Sequence, residues 1–427
     1  MSDLISKQSD RVSEMAENLI GSEIIRLAGE IRERQAKGNR IFNFTIGDFD
    51  PALFPIPEAL TQAIIDAYKE GHTNYPAANG MAELRKTLAA FIVQRQGLTY
   101  SENDFLVAGG ARPLIYAIYQ VLIDPGDKII FPVPSWNNNH YTHLSRGSEC
   151  VVEVTPENNF MPIADDLRPH LGNAVLLALC SPQNPTGTVF TREQLTEICQ
   201  MVLDENAQRP AGAKPLYVMY DQIYWQLTGA GVTHFDPVSL FPEMRPYTIF
   251  VDGLSKSLAA TGVRVGWSFG PAKVIDKMKS VLGHVGAWAP KAEQMATARF
   301  LNDSKSVDQY MEWINREVAD RLMAFHNGFQ YLKSDGFSVD SIRPQAAIYL
   351  TVKFNLVGKT TPDGQKITKT SEATAYLLDK CGLALVPFYA FGSSADSCWY
   401  RLSVGTAKKD EIAQMFASLR STLQQLV

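Results

Sequence analysis

Cysteine is scarce in this chain. Cys150, Cys180, Cys199, Cys381 and Cys398 are five among 427 residues, an odd number with no C-x-x-C pair. A disulfide framework is therefore not what holds the fold together. Charge of one sign is not in excess either. Forty Lys+Arg against 45 Asp+Glu leave a net charge of −5, with no basic surplus to grip a nucleic-acid backbone. Long hydrophobic runs are missing too. The longest charge-free stretch, 174–191, is interrupted by Ser181-Pro182-Gln183-Asn184-Pro185, which no spanning helix would carry. Met1–Lys7 lacks the apolar core of a signal peptide. The expectation is a soluble, cytoplasmic protein with no membrane and no nucleic-acid partner. No internal repeat or low-complexity tract is visible, and 45% hydrophobic residues suffice for a globular core.

What is present is an alternation of short β-rich runs and helical patterns. Leu19, Ile20, Ile24, Leu27 and Ile31 predict one amphipathic helix over 13–37. An irregular Pro/Phe segment, Phe49–Pro55, leads to helices at 57–70 and 80–96. Strands are predicted at 105–107, 128–131, 174–179, 216–220 and 248–251, with helices at 113–123, 137–146 and 191–204 between them. This pattern predicts an α/β large domain, its mostly parallel sheet covered by helices on both faces. Past 270 come long helical patterns (271–283, 290–302, 306–333). A smaller α+β domain follows, with strands at 348–352 and 400–404, an exposed loop over 357–369 and a last helix at 408–425. The length exceeds one core, and the division expected is an arm at 1–46, a large domain at 47–289 and a small domain at 290–427.

Strands of a parallel sheet end on one edge, where their loops converge on a ligand. Five predicted strand ends carry unusual residues: Gly109-Gly110-Ala111-Arg112-Pro113, Pro134-Ser135-Trp136-Asn137, Ser181–Gly187, Asp221-Gln222-Ile223-Tyr224 and Gly253-Leu254-Ser255-Lys256. Each alone has an ordinary reading. Glycines before Pro113 make a turn into a helix, and a bare glycine pattern is a weak phosphate signal. Trp136 packs in a core, Asn184-Pro185 is a turn, Asp221 caps a helix and Lys256 is a solvated surface group. Together they are more specific. A lysine that forms a Schiff base needs an electrophilic carbonyl, which pyridoxal phosphate supplies. The cofactor's phosphate calls for a helix N-terminus and an arginine fork. Its ring calls for a carboxylate at the nitrogen, an aromatic on one face, and amide or phenol donors at the ring oxygen.

The segment Gly253-Leu254-Ser255-Lys256-Ser257-Leu258-Ala259-Ala260-Thr261-Gly262-Val263-Arg264-Val265-Gly266 resembles the lysine-attachment motif of class I/II pyridoxal-phosphate-dependent aminotransferases, of the aspartate aminotransferase-like fold type I. The likeness extends along nearly the whole chain. It implies that Lys256 carries the Schiff base and Asp221 pairs with the pyridinium. Asn184 and Tyr224 would bond the ring oxygen, and Trp136 would stack on the ring and border the substrate. Gly110, Ala111, Arg112, Ser255 and Arg264 would cradle the cofactor phosphate. Tyr75 would reach the phosphate of a partner subunit in a homodimer with shared active sites. Arg401, in Tyr400-Arg401-Leu402-Ser403, would grip the substrate α-carboxylate, and Gly47 would belong to the segment that closes over it.

Three departures stand out: Gln222 for the usual Glu, harmless because only Asp221 and Tyr224 carry roles there, Phe388 after Val386-Pro387, and Ala346 for a usual Gly. The last two are expected at the border of the substrate pocket. Arg112 has two readings. One is a fork for a distal carboxylate, the part a lysine takes in a bacterial aspartate aminotransferase subgroup; the other reinforces the phosphate cup or caps a neighbouring loop. The resemblance thus implies ping-pong transfer of an amino group from an L-amino acid, aspartate above others, to 2-oxoglutarate. Aromatic or neutral amino acids, and a β-eliminating lyase or synthase on the same fold, remain alternatives. An effector sensor fused to a DNA-binding region finds too short and too little basic a stretch before Gly47. His140 and His143 lack a third ligand pattern, so no metal is expected.

Overall fold

Neighbouring residues of the central strands go to opposite sides of one sheet, and both sides are apolar. Ile130, Leu177, Val218 and Phe250 enter one core, while Ile129, Leu176, Met219 and Ile249 enter another. Alternation of apolar with apolar, in place of apolar with polar, demands helices on both faces. The computed structural model describes residues 12–427 other than Ile20 and Ser22. Its main sheet has seven strands: β1 (Phe105–Ala108), β2 (Lys128–Val133), β3 (Ser148–Glu153), β4 (Ala174–Cys180), β5 (Tyr217–Asp221), β6 (Thr248–Gly253) and β7 (Gly266–Phe269). They lie in the order β1-β7-β6-β5-β4-β2-β3. The β3-β2-β4-β5-β6 pairings are parallel, and β7 runs antiparallel between β6 and β1. Helices Ala82–Gln96, Arg192–Gln208 and Lys291–Asn302 cover one face; Ala111–Leu122 and Ala272–Val285 cover the other.

Two glycines let β7 approach the strand ends. Gly253 and Gly266 are register partners. A Cβ on Gly266 would stand 2.6 Å from the carbonyl carbon of Gly110, at the start of helix Ala111–Leu122. Any side chain there would push β7 away from the loop that carries the candidate phosphate residues.

The third core belongs to the C-terminal part of the chain. Phe325 and Phe329 of the long helix Ser304–Ser334 pack with Tyr349, Val352, Leu402 and Leu419. The strands here form a four-stranded antiparallel sheet in the order Val386–Pro387, Trp399–Ser403, Tyr349–Phe354, Val339–Ser341. Leu27 and Ile31 of helix Glu23–Ala36 pack beside it with Leu378, Val386 and Phe388, and Arg34 pairs with Asp379 at 2.8 Å.

Several expectations change. The single helix over 13–37 is two, Glu14–Glu17 and Glu23–Ala36. Asn18 caps the first helix and Leu19 is 43% exposed, so the apolar stripe begins only at Ile24; Ile20 lies outside the described residues. Helix Lys291–Asn302 packs on Glu58–Lys69 and Ala82–Gln96, and the first core runs on to Val307. Packing therefore places this helix with the main sheet, and the boundary after 289 falls one helix early. Strand β3 went unread because S-E-C-V-V-E buries only Val152 at the edge of the sheet. Strand β7 lies hidden at the end of the lysine motif. Among the described residues no helix is long and apolar enough to cross a membrane.

Candidate active site

The C-terminal ends of β4, β5 and β6 open on a cavity of about 690 Å³. The lining includes Gly47, Ala111, Arg112, Trp136, Asn184, Asp221, Tyr224, Ser255, Lys256, Arg264 and Arg401. Residues far apart in sequence are thus brought together. Gly110 lies just behind the wall. Tyr75 is not in the cavity: it is 82% exposed, edge-on to Trp288 with ring centroids 5.4 Å apart.

Lys256 stands on the one-turn helix Leu254–Ser257 that follows β6. Its Nζ donates to the Gly47 carbonyl at 2.7 Å. Burial pulls its pKa down to about 8; Asp48 opposes this, and the cations of Arg401, Arg112 and Arg264 add to it. A lysine held near neutrality is one that can give and take protons at physiological pH.

Asp221 is the last residue of β5, and its Oδ1 accepts from the Ile223 N–H at 3.1 Å. Burial raises its carboxyl to about 6, with that bond and Lys256 pulling the other way. A cationic N–H placed against it would hold the carboxylate ionised.

Arg401 is the most unusual charge in the molecule. It is 1% exposed and lies over the rings of Tyr349 and Phe391, 4.7 and 4.9 Å from their centroids. Nη2 donates to Thr45 O at 2.7 Å and Nη1 to Asn184 Oδ1 at 3.0 Å. Nε has no partner, and no carboxylate pairs with the guanidinium among the described residues. Burial lowers its pKa. An uncompensated buried cation is costly, so the site is built for an anion that arrives from outside. Gly47 completes it: a Cβ there would meet Tyr349 Oη at 2.9 Å and the Arg401 guanidinium at 3.5 Å.

Gly110 (φ 96°) precedes the twelve-residue helix Ala111–Leu122. Arg264, itself left-handed at φ 62°, reaches across to it. Its Nη1 donates to Thr261 O and its Nη2 to Gly109 O, each at 2.7 Å. A side chain at Gly110 would collide with this guanidinium. A helix start with an arginine beside it suits a phosphate dianion. Arg112 is exposed to the cavity, its guanidinium 5.3 Å from the centroid of the Trp136 ring. Among the described residues it makes no hydrogen bond or ion pair, so it caps no neighbouring loop.

Three residues of the site escaped the sequence reading. Tyr349 Oη and Tyr224 Oη are 2.7 Å apart. Asp48 lines the cavity and accepts from Thr261 Oγ1 at 2.7 Å. Their signals were faint: Asp48 adjoins Gly47, Thr261 falls inside the lysine motif, and Tyr349 closes the segment around Ala346. The expected border roles of Phe388 and Ala346 need correction, since neither lines this cavity. Phe388 is buried against Phe160, ring centroids 5.1 Å apart, in the core beneath helix Glu23–Ala36. Ala346 donates its N–H to Gly187 O behind the Asn184 loop.

Asp252, one residue past the β6 position that pairs with Asp221, is 1% exposed. It accepts from Trp225 Nε1 at 2.8 Å and Gly253 N at 2.7 Å. Burial chiefly raises its pKa from 3.8 to about 8, and Asp221 adds to the rise. The folded state thus keeps a proton that the unfolded chain releases, and stability falls as pH climbs between those two values. Asp252→Asn removes this slope. Its Tm relative to the parent should rise steadily with pH up to about 8 and then level off, as calorimetry at a series of pH values would show.

A seven-stranded α/β sheet with a lysine, a carboxylate, an anion-seeking arginine and a phosphate-type helix start at one edge defines a fold-type-I transferase. Residues 39–418 match the family Aminotransferase class I and II, and the chain belongs to that family. It is 27% identical over 404 residues to an aspartate aminotransferase of Geobacillus stearothermophilus, covering 93% of this chain and 95% of the relative. It is 30% identical over 357 residues to a bifunctional aspartate and glutamate/aspartate-prephenate aminotransferase of Petunia hybrida, covering 81% and 70%. Among solved structures, the aspartate aminotransferase of Rhizobium meliloti superposes with a TM-score of 0.88 at 24% identity, over 98% of this chain and all of that one. That of Thermus thermophilus with maleate gives 0.84 at 25%, over 97% and 100%.

Proposed function

We propose that the protein is a pyridoxal-phosphate-dependent aminotransferase that moves the amino group of L-aspartate to 2-oxoglutarate in two half-reactions. The observation that carries this reading is the pairing of two arginines in one cavity. Arg401 is buried without a counter-ion, and Arg112 faces the same space over the Trp136 ring, with no hydrogen bond or ion pair among the described residues. Two cations flanking a proton-transferring lysine suit a dicarboxylic amino acid, and relatives named for aspartate agree.

The residues present fit the cofactor. The Gly110–Arg112 helix start with Arg264 and Ser255 would hold its phosphate, Asp221 its ring nitrogen, Asn184 and Tyr224 its ring oxygen, and Trp136 one ring face. When bound, pyridoxal phosphate supplies a carbonyl that joins the substrate amine and a ring that accepts the electrons of the Cα–H bond. The chain does the rest. Arg401 takes the α-carboxylate bidentately and fixes the direction of the Cα–H bond. Lys256 Nζ, whose pKa burial draws down to about 8, would take the proton from the substrate Cα and hold it for return. Asp221 would hold a proton on the ring nitrogen. Gly47 borders the substrate space beside Lys256. Tyr75, exposed in the single chain, would reach a partner subunit's cofactor phosphate in a homodimer.

The test is an absorbance titration of the purified protein with L-aspartate and no oxo acid. Loss of the lysine-bound cofactor band and growth of the pyridoxamine band support the reading. Conversion by aromatic or neutral amino acids alone would keep the transaminase and reject aspartate; release of ammonia without amino transfer would favour the lyase. Arg112 has its own check. In Arg112→Gln, kcat/KM for L-aspartate should fall by roughly 10- to 100-fold, with that for L-alanine nearly unchanged. An equal loss for both would return Arg112 to a role at the phosphate cup.

A further inference from the structure

A second cavity, of about 240 Å³, is lined by the segment Arg343–Ala347. Leu227, Val318, Leu322, Met323 and Pro344 make its walls apolar, with Arg343 among the lining. The long helix Ser304–Ser334 forms one side, tied to the chain after Tyr224 by Asn315 Nδ2, which donates to Gln226 O at 3.0 Å. Arg343 is exposed and has no hydrogen bond or ion pair among the described residues. Its charge is felt by His326, whose pKa is lowered first by burial and then by this arginine.

We infer that this cavity is a second binding site, for a small monocarboxylate with an apolar body. An apolar cavity of roughly 150 Å³ accepts a benzene ring, so the space here admits a phenyl group on a short chain. The wall of aliphatic side chains matches the body by area removed from water. The free guanidinium matches the carboxylate in charge and in fork geometry. A neutral or cationic ligand would leave that charge unused, which sets the chemical class.

The segment that walls the cavity also reaches the catalytic residues. Gly229 N donates to Gln345 O and Ala347 N to Leu227 O, each at 2.7 Å, three to five residues beyond Tyr224. On its other side, Val189 N donates to Gln345 Oε1 and Ala346 N to Gly187 O, each at 2.9 Å, just beyond Asn184. The chain then runs directly to Tyr349 and its contact with Tyr224. A ligand that shifts Arg343–Ala347 therefore shifts the loops of Asn184 and Tyr224, and linkage makes the effect reciprocal.

The experiment is calorimetric titration of the cofactor-loaded protein with 3-phenylpropionate, with and without saturating succinate to occupy Arg401. Hydrogen exchange at 227–230, 315–323 and 343–348 then locates the bound probe. Saturable binding that survives succinate and protects those segments is the expected result. Arg343→Gln, a surface change that leaves the fold intact, should weaken the probe by roughly tenfold, and 3-phenylpropanamide should bind the parent as weakly. A probe displaced by succinate, or one that protects the segments around Lys256 and Arg401 alone, overturns the site. So does an affinity indifferent to Arg343→Gln, or no binding at millimolar concentration. An affinity unchanged by succinate overturns the link to catalysis. None of these readouts depends on which amino acid the enzyme transaminates, so a failure here and a failure of the substrate assignment are separable.

Discussion

Lys256→Ala is expected to lower kcat for transamination by about 10⁴-fold or more while leaving the protein folded. The side chain would both carry the cofactor and move the Cα proton, and the cavity supplies no substitute for either role. General acid–base transfer by a positioned group contributes up to about 10⁴-fold, and loss of covalent attachment of the cofactor adds to that. No other lysine lines the cavity, and the carboxylates of Asp48 and Asp221 are held by Thr261 and by the Ile223 N–H. Truncation removes a cation that burial has already weakened, so the Tm of the cofactor-free variant should equal or exceed the parent's. Steady-state rates and thermal unfolding on the same preparations decide the matter. Activity within tenfold of the parent would show that another group moves the Cα proton.

Arg401→Met carries the next largest effect. The guanidinium is fully desolvated, so a substrate carboxylate meeting it forms an ion pair away from water. Removing one partner of such a pair costs about 2–5 kcal/mol, which corresponds to a fall in kcat/KM of roughly 30- to 5000-fold. Methionine keeps much of the volume between Tyr349 and Phe391 but leaves Thr45 O and Asn184 Oδ1 without their donor. A change confined to Asn184 would also lower activity, so a second readout is needed. Saturating succinate should raise the Tm of the parent by mass action and leave that of Arg401→Met unmoved. A variant that succinate still stabilises fully would place the carboxylate elsewhere.

Much of this site was legible before any coordinates. The lysine motif, Asp221 with Tyr224, and the Asn184 loop each follow a strand whose apolar run is short and unmistakable, and parallel strands must bring their ends together. The pairing of catalytic roles with residue types then follows from chemistry, because few side chains can hold a phosphate, a ring nitrogen or a carboxylate. Elements with weak local signals were lost. Edge strand β3 buries one residue of six, and β7 has only four residues, the first of which closes the lysine motif.

The sequence by itself determined five of the seven strands of the sheet, the helices on its two faces and the identity of the groups at its edge, because hydrophobic period and residue chemistry are local properties. Only the tertiary structure decided which of those groups carry an unmet charge. Arg401 and Arg264 look alike as letters and neither pairs with a carboxylate among the described residues, yet only Arg401 is buried with its Nε unbonded, while Arg264 is exposed beside the Gly110 helix start. The same holds for Asp48, Tyr349 and Asp252, whose roles come from neighbours distant in the chain. Burial and the distance between charges set desolvation and pairing, and both quantities exist only once the chain has closed on itself.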